Sequence, residues 1–100
     1  MTTLDRELLE LAAKAAGIEV TAVVAEGIPH RFGGGYWNPL TDDGDALRLV
    51  VGLGMDIGTD VAGQVHANDC WEFHCDHAFN RTAATRRAIV RAAAEIGRMM

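Results

Sequence analysis

Leu4, Leu8, Leu11, Ala15 and Ile18 recur at helical spacing, with Asp5, Glu7, Glu10 and Lys14 on the other side of the wheel. That rhythm predicts an amphipathic helix over residues 4–16. Thr2 with Asp5 three residues on resembles a capping box, and Gly17 suits a left-handed stop. From residue 18 to 25 the period drops to two: Ile18, Val20, Ala22 and Val24 share one face, and Glu19, Thr21, Val23 and Ala25 the other. A strand with one strongly apolar face is expected there. Residues 27–40 lose the pattern. They hold Pro29, Pro39 and the run Gly33-Gly34-Gly35 beside Phe32, Tyr36 and Trp37, which predicts a loop around a mobile turn.

A second helix is expected to open at Thr41 or Asp42 and run to about residue 53. Asp42, Asp43 and Asp45 fall in its first turn, where carboxylates favour the positive end of the helix dipole. Beyond that turn Arg48 is nearly the only polar residue, so this helix is expected to be buried on most sides. Strand character returns at residues 55–57, 61–66 and 70–75, with Asn68-Asp69 as turn residues. A two-residue turn would set Val65 opposite Glu72 and Gln64 opposite Phe73, mixing polar with apolar. A three-residue loop, Ala67 to Asp69, instead pairs Val65 with Trp71, Gly63 with Phe73 and Val61 with Cys75. It gathers Gln64, His66, Cys70, Glu72 and His74 on the opposite face, and it is the expected register. The last segment, residues 82–99, carries Thr85, Ile89, Ala92, Ala93 and Ile96 at helical spacing in an Ala-rich, strongly helix-forming context. The order is helix, strand, helix, hairpin, helix, with a further strand near Tyr36 or Asp56. This predicts an α/β (α+β) fold in which a small antiparallel or mixed sheet of about three or four strands is packed by three helices.

Composition narrows the class. With 49% hydrophobic residues and a net charge of −5, the 100 residues describe one globular domain spanning 1–100, with one core and no disorder signature. No apolar run reaches the length of a membrane span, and the first residues lack a secretion-signal layout, so a soluble cytoplasmic protein without membrane contact is expected. Two cysteines, Cys70 and Cys75, are too few for a disulfide scaffold. The charge is uneven: residues 1–80 hold 4 basic and 13 acidic side chains, while residues 81–100 hold 5 and 1. An acidic body with a basic closing helix favours docking of that helix on its own acidic elements, or a contact with another chain. Nucleic-acid binding through these arginines is the weaker alternative, since no helix-turn-helix pattern accompanies them.

The densest chemistry lies in Cys70-Trp71-Glu72-Phe73-His74-Cys75-Asp76-His77. On a strand, Cys70 and His74 point one way and Cys75 and His77 the other, so one zinc ion does not collect all four, and a Cys70–Cys75 disulfide is opposed by the same parity. A smaller cluster of His66, Cys70 and Glu72 remains as the alternative reading of a metal- or cysteine-dependent hydrolase. Solvated strand faces commonly carry His and Glu, so no catalytic residue, metal or cofactor is assigned. Asp42, Asp43 and Asp45 lack the ligand alternation of a calcium loop, and helix-start electrostatics accounts for them. Gly33 to Gly35 lacks the Lys-Ser/Thr of a phosphate loop. His30 and Arg31 read as a solvated pair rather than an anion contact. Trp37-Asn38-Pro39 reads as a structural entry to the second helix.

Two stretches, Trp37-Asn38-Pro39-Leu40-Thr41-Asp42-Asp43-Gly44-Asp45-Ala46-Leu47-Arg48-Leu49 and Ala84-Thr85-Arg86-Arg87-Ala88-Ile89-Val90-Arg91-Ala92-Ala93-Ala94-Glu95-Ile96-Gly97-Arg98, resemble the phage ABA-sandwich domain family, whose members are small phage and prophage proteins. They cover under a third of the chain. The resemblance implies an α-β-α sandwich-like arrangement and a phage or prophage origin, and it carries over no catalytic residue. The functional expectation is a non-enzymatic accessory domain that binds a host or phage protein, or a second copy of itself as a homodimer. Its expected contact residues are Phe32, Tyr36 and Trp37 in the loop and His66 and Glu72 on the polar hairpin face. A related reading is an anti-CRISPR-like inhibitor of host defence, acting by protein contact.

Overall fold

The computed structural model describes residues 2–30, 33–59, 64–73, 77 and 80–100. Among them the chain forms three α-helices and five short strands, an α+β fold: α1 (Thr3–Ala16), β1 (Ile28–Pro29), β2 (Tyr36–Trp37), α2 (Asp43–Leu53), β3 (Ile57–Thr59), β4 (Gln64–Ala67), β5 (Cys70–Phe73) and α3 (Arg81–Arg98). The strands divide between two antiparallel sheets, β1-β2 and β3-β4-β5, rather than joining in one. No helix among the described residues is long and apolar enough to cross a membrane.

Each helix starts on a side-chain cap. Thr2, Asp42 and Asn80 accept hydrogen bonds from the backbone N–H of Asp5, Asp45 and Ala83, three residues further on in every case. Gly17 and Gly54 close α1 and α2 in the left-handed conformation. Helix boundaries therefore fall close to those the sequence predicts, because the cap residues are local.

Helix α3 is the central strut, with α1 against one side, the hairpin β4-β5 against another and α2 beside them. It buries Ala84, Ala88, Ile89, Val90 and the run Ala92 to Ala94. Against α1 these small residues meet Leu8, Leu9, Ala12 and Ala13, and the backbones approach so closely that a Cβ at Gly97 would overlap the Leu11 carbonyl. Against the hairpin, α3 covers Val65 and Ala67, both fully buried.

Three expectations are corrected. Residues 18–25 form no strand; the segment holds one isolated bridge, Val24 with Gly27, and leaves Val20 and Val24 more than a third exposed. Alternation marked an extended chain, but a strand exists only where a neighbour takes its N–H and C=O groups, and pairing begins later, Ile28 with Trp37. Helix α2 is not buried on most sides. It buries Asp45, Ala46 and Leu49, while Leu47 and Val51 stand 58% and 74% exposed, because α2 is a surface helix that packs by one face.

The third correction is the hairpin register. Strands β4 and β5 join through the two-residue turn Asn68-Asp69, pairing Ala67 with Cys70, His66 with Trp71, Val65 with Glu72 and Gln64 with Phe73. Asn68 supplies the positive φ, 49°, that such a turn requires at its first position. Its side-chain oxygen also accepts the Asp56 N–H at 2.9 Å. Of the expected pairs, those involving Val61, Gly63 and Cys75 lie outside the described residues.

Candidate functional site

The observed register exchanges the two faces of the hairpin. Val65, Ala67, Cys70 and Glu72 face α3, and Gln64, His66, Trp71 and Phe73 face outward. Glu72 is the polar member of the inner face, and its burial is compensated. Its side chain is 13% exposed, with His77 Nε2 2.8 Å from Oε1 and Arg91 of α3 donating to Oε2. A part-buried carboxylate is accommodated because ionic and hydrogen-bonding partners occupy both oxygens. The mixed pairing that argued against this register on sequence grounds is therefore a structural joint.

Arg91 has a second use. Cys70 and Ala67 flank the tight turn and exchange hydrogen bonds, so the main-chain groups of Trp71 point to the open edge of β5. Arg91 Nη1 donates to that Trp71 carbonyl at 2.8 Å, capping an edge that would otherwise accept another strand.

The outer face carries the aromatic groups. Trp71 is 50% and Phe73 46% exposed. The Trp71 ring lies 4.7 Å from the His66 imidazole, centroid to centroid, tilted by 34°. His66 lies over Gly58 of β3, where a Cβ would collide with the imidazole, so the glycine makes room for the ring. Asp56, 89% exposed in its side chain, sits 4.0 Å from His66 Nε2, and exposed Asp69 lies at the turn. The result is a small aromatic platform with an acidic rim.

The expected contact residues are scattered. His66 and Glu72 lie on opposite faces of the hairpin, Tyr36 is exposed on β2, Trp37 is buried at 5% exposure, and Phe32 lies outside the described residues. The same parity separates His66 from Cys70 and Glu72, so the trio of the hydrolase reading does not converge. Burial pushes the Cys70 thiol up, with Glu95, Asp69 and Glu72 adding to the shift against the opposing charge of Arg91. A raised thiol pKa is the reverse of nucleophile activation. Among the described residues, no three or more His, Cys, Asp and Glu gather as a metal site.

The uneven charge resolves within the molecule. Arg86 donates to Asp43 at 2.7 Å and to the Leu40 carbonyl at 2.8 Å, Arg87 to Asp5 at 2.6 Å, and Arg91 to Glu72. The basic closing helix thus docks on acidic groups of α2, α1 and β5. Burial acting alone would raise the Asp5 pKa, but the hydrogen bond and charge of Arg87, with Thr2, hold that carboxyl below its usual range. The aspartates at the start of α2 are likewise structural: Asp42 caps, Asp43 pairs with Arg86, and buried Asp45 accepts the Asn38 N–H at 2.9 Å and Arg48 at 3.0 Å. Asn38 also donates to the Glu26 carbonyl and accepts from the Leu40 N–H, which makes Trp37-Asn38-Pro39 the structural entry the sequence suggested.

Sequence reasoning placed Trp71 and Phe73 in the core and left Arg91 without a partner. The signal for both is Asn68, a residue type that tolerates the positive φ of a two-residue turn. Comparison with protein-family models, with curated proteins and with solved structures finds no match to this chain.

Proposed function

We propose that this protein is a non-enzymatic protein-binding domain, of the small phage or prophage accessory kind that residues 37–49 and 84–98 resemble, and that it binds through the outer face of the β3-β4-β5 sheet. The observation that carries this reading is the half-exposed pair Trp71 and Phe73, held beside His66 on a hydrogen-bonded sheet. Large aromatics fixed at a surface with little rotamer freedom left to lose are the side chains that anchor protein interfaces. Asp56 and Asp69 at the rim select a partner that presents an apolar side chain flanked by Lys or Arg. Arg91 on the Trp71 carbonyl opposes strand addition at β5, so the partner seats on the face rather than along the edge.

The test is retention of a host or phage protein by the immobilised domain, compared with Trp71→Ala and Phe73→Ala variants of unchanged helical circular dichroism. Capture that is lost in both variants and weakens with salt supports the reading. Capture that survives loss of both aromatics overturns it, and concentration-dependent sedimentation abolished by the same variants identifies the partner as a second copy of the chain.

A further inference from the structure

A different surface carries a second site. Helices α1 and α2 both pack on α3 but touch each other little, and the space between them opens as a groove of about 480 Å³. Ile18, Trp37, Leu49 and Leu53 supply its apolar wall, and an adjoining lobe of about 560 Å³ shares Ile18, His30 and Trp37. Pockets that hold small molecules span roughly 300–1,000 Å³ and combine an apolar lining with a few convergent polar groups.

The polar groups here are incompletely used. Trp37 is 5% exposed, yet its indole N–H meets no acceptor among the described residues. Buried donors are nearly always paired, so a lone one on a cavity wall marks a place for an acceptor. At the mouth, Arg48 spends Nη1 on Asp45 and makes no other hydrogen bond among the described residues, leaving most of its guanidinium donors open on a side chain that is 75% exposed. Exposed His30 lines both lobes. Asp45 has both oxygens occupied, by Arg48 and the Asn38 N–H, and Glu19 lines only the far lobe, so the open donors of Arg48 make its end of the groove the one suited to a carboxylate.

We propose that this groove binds a small aromatic carboxylate, its ring against Leu49 and Leu53 and its carboxylate accepting from Arg48, His30 and the Trp37 indole N–H. A planar ring fills a slot walled by an indole and leucines, and a carboxylate matches the guanidinium fork. The site is independent of the sheet face and of the protein-binding reading.

Gly52 supplies the decisive variant. It lines the groove inside α2, and a Cβ there meets nothing within 4 Å, so Gly52→Leu projects into open space and favours the helix while filling the slot. The chain has two tryptophans, so Trp71→Phe leaves one indole N–H signal, that of Trp37, for proton–nitrogen correlation spectroscopy. Titration of that protein with 1-naphthoate is expected to move the signal saturably. Arg48→Gln, or replacing the probe by uncharged 1-naphthamide, is expected to weaken binding roughly tenfold, the weight of one charge-assisted hydrogen bond. Gly52→Leu is expected to abolish the shift at unchanged helix content. An indole signal unmoved by several millimolar 1-naphthoate overturns the proposal, as does a shift that persists in Gly52→Leu. Equal affinity for the acid and the amide overturns the carboxylate assignment.

Discussion

The two sides of α3 are built on opposite principles. Toward α1 the contact is dry and made of small residues: Ala against Ala and Leu, with Gly97 passing the Leu11 carbonyl too closely for any side chain. Toward the hairpin the same helix covers Val65 and Ala67 and then reaches out with Arg91 to a part-buried glutamate and a strand-edge carbonyl, while the largest side chains of the hairpin point away from it. One side gains stability from close backbone approach, the other from satisfying polar groups that register has forced inward. Side-chain size alone is therefore a poor guide to what holds this fold together. Alanines and one glycine occupy the tightest contact, and Trp71 is a surface group.

Four substitutions would break or sharpen that contrast. The largest effect is expected from Gly97→Ala, because the added methyl meets backbone rather than a movable side chain; a loss of about 3 kcal/mol in urea unfolding is expected. A loss below about 1 kcal/mol would mean that α1 and α3 separate without penalty and that the dry contact is looser than described. Next is Arg91→Ala, which strips Glu72 of its cation and uncaps Trp71. About 2 kcal/mol of destabilisation is expected, and the double variant Glu72→Leu/Arg91→Leu should recover most of it, because removing both charges ends the need to compensate either.

Asp5→Asn tests the charged clasp between α1 and α3 at about 1 kcal/mol. Because the Asp5 carboxyl is held below its usual range in the folded protein, the unfolded chain binds that proton more tightly. The contribution of Asp5 is complete above the ordinary aspartate pKa and is lost as pH falls through the lower, folded value. Unfolding measured from neutral to strongly acidic pH should show a shallower acid-side decline in Asp5→Asn than in the parent. The smallest effect is expected from Trp71→Ala, within about 0.5 kcal/mol by thermal or urea unfolding, since half of that side chain already faces solvent. A cost of several kcal/mol there would place the indole in the core and remove the basis for a binding face.

Local features were the legible ones. Thr2 and Gly17 bound α1, Asp42 and Gly54 bound α2, and helical periodicity marked all three helices, because caps and amphipathic spacing act within a turn or two of the residues that encode them. The split between acidic body and basic last helix was legible too, and the pairing of Arg86, Arg87 and Arg91 with Asp43, Asp5 and Glu72 is the form it takes. The candidate site was much less so. The pattern marks His66 as a surface group but turns Trp71 and Phe73 inward, on the premise that an apolar face is always the buried one. That premise failed because Asn68 adopts the left-handed conformation, and one residue of register turns every side chain of β5 to the other face.

The chain by itself carries its helices, their ends, its α+β class and the uneven split of its charge, all of which follow from contacts near in sequence or from bulk composition; which acidic groups Arg86, Arg87 and Arg91 meet is tertiary. Whether residues 18–25 become a strand, which face of the hairpin is wet, and where a groove opens beside Trp37 are settled by which distant elements come to lie alongside. A strand needs a partner for its backbone, a face needs a neighbour to cover it, and a cavity is the gap that neighbours leave. The helix that supplies most of those neighbours is α3.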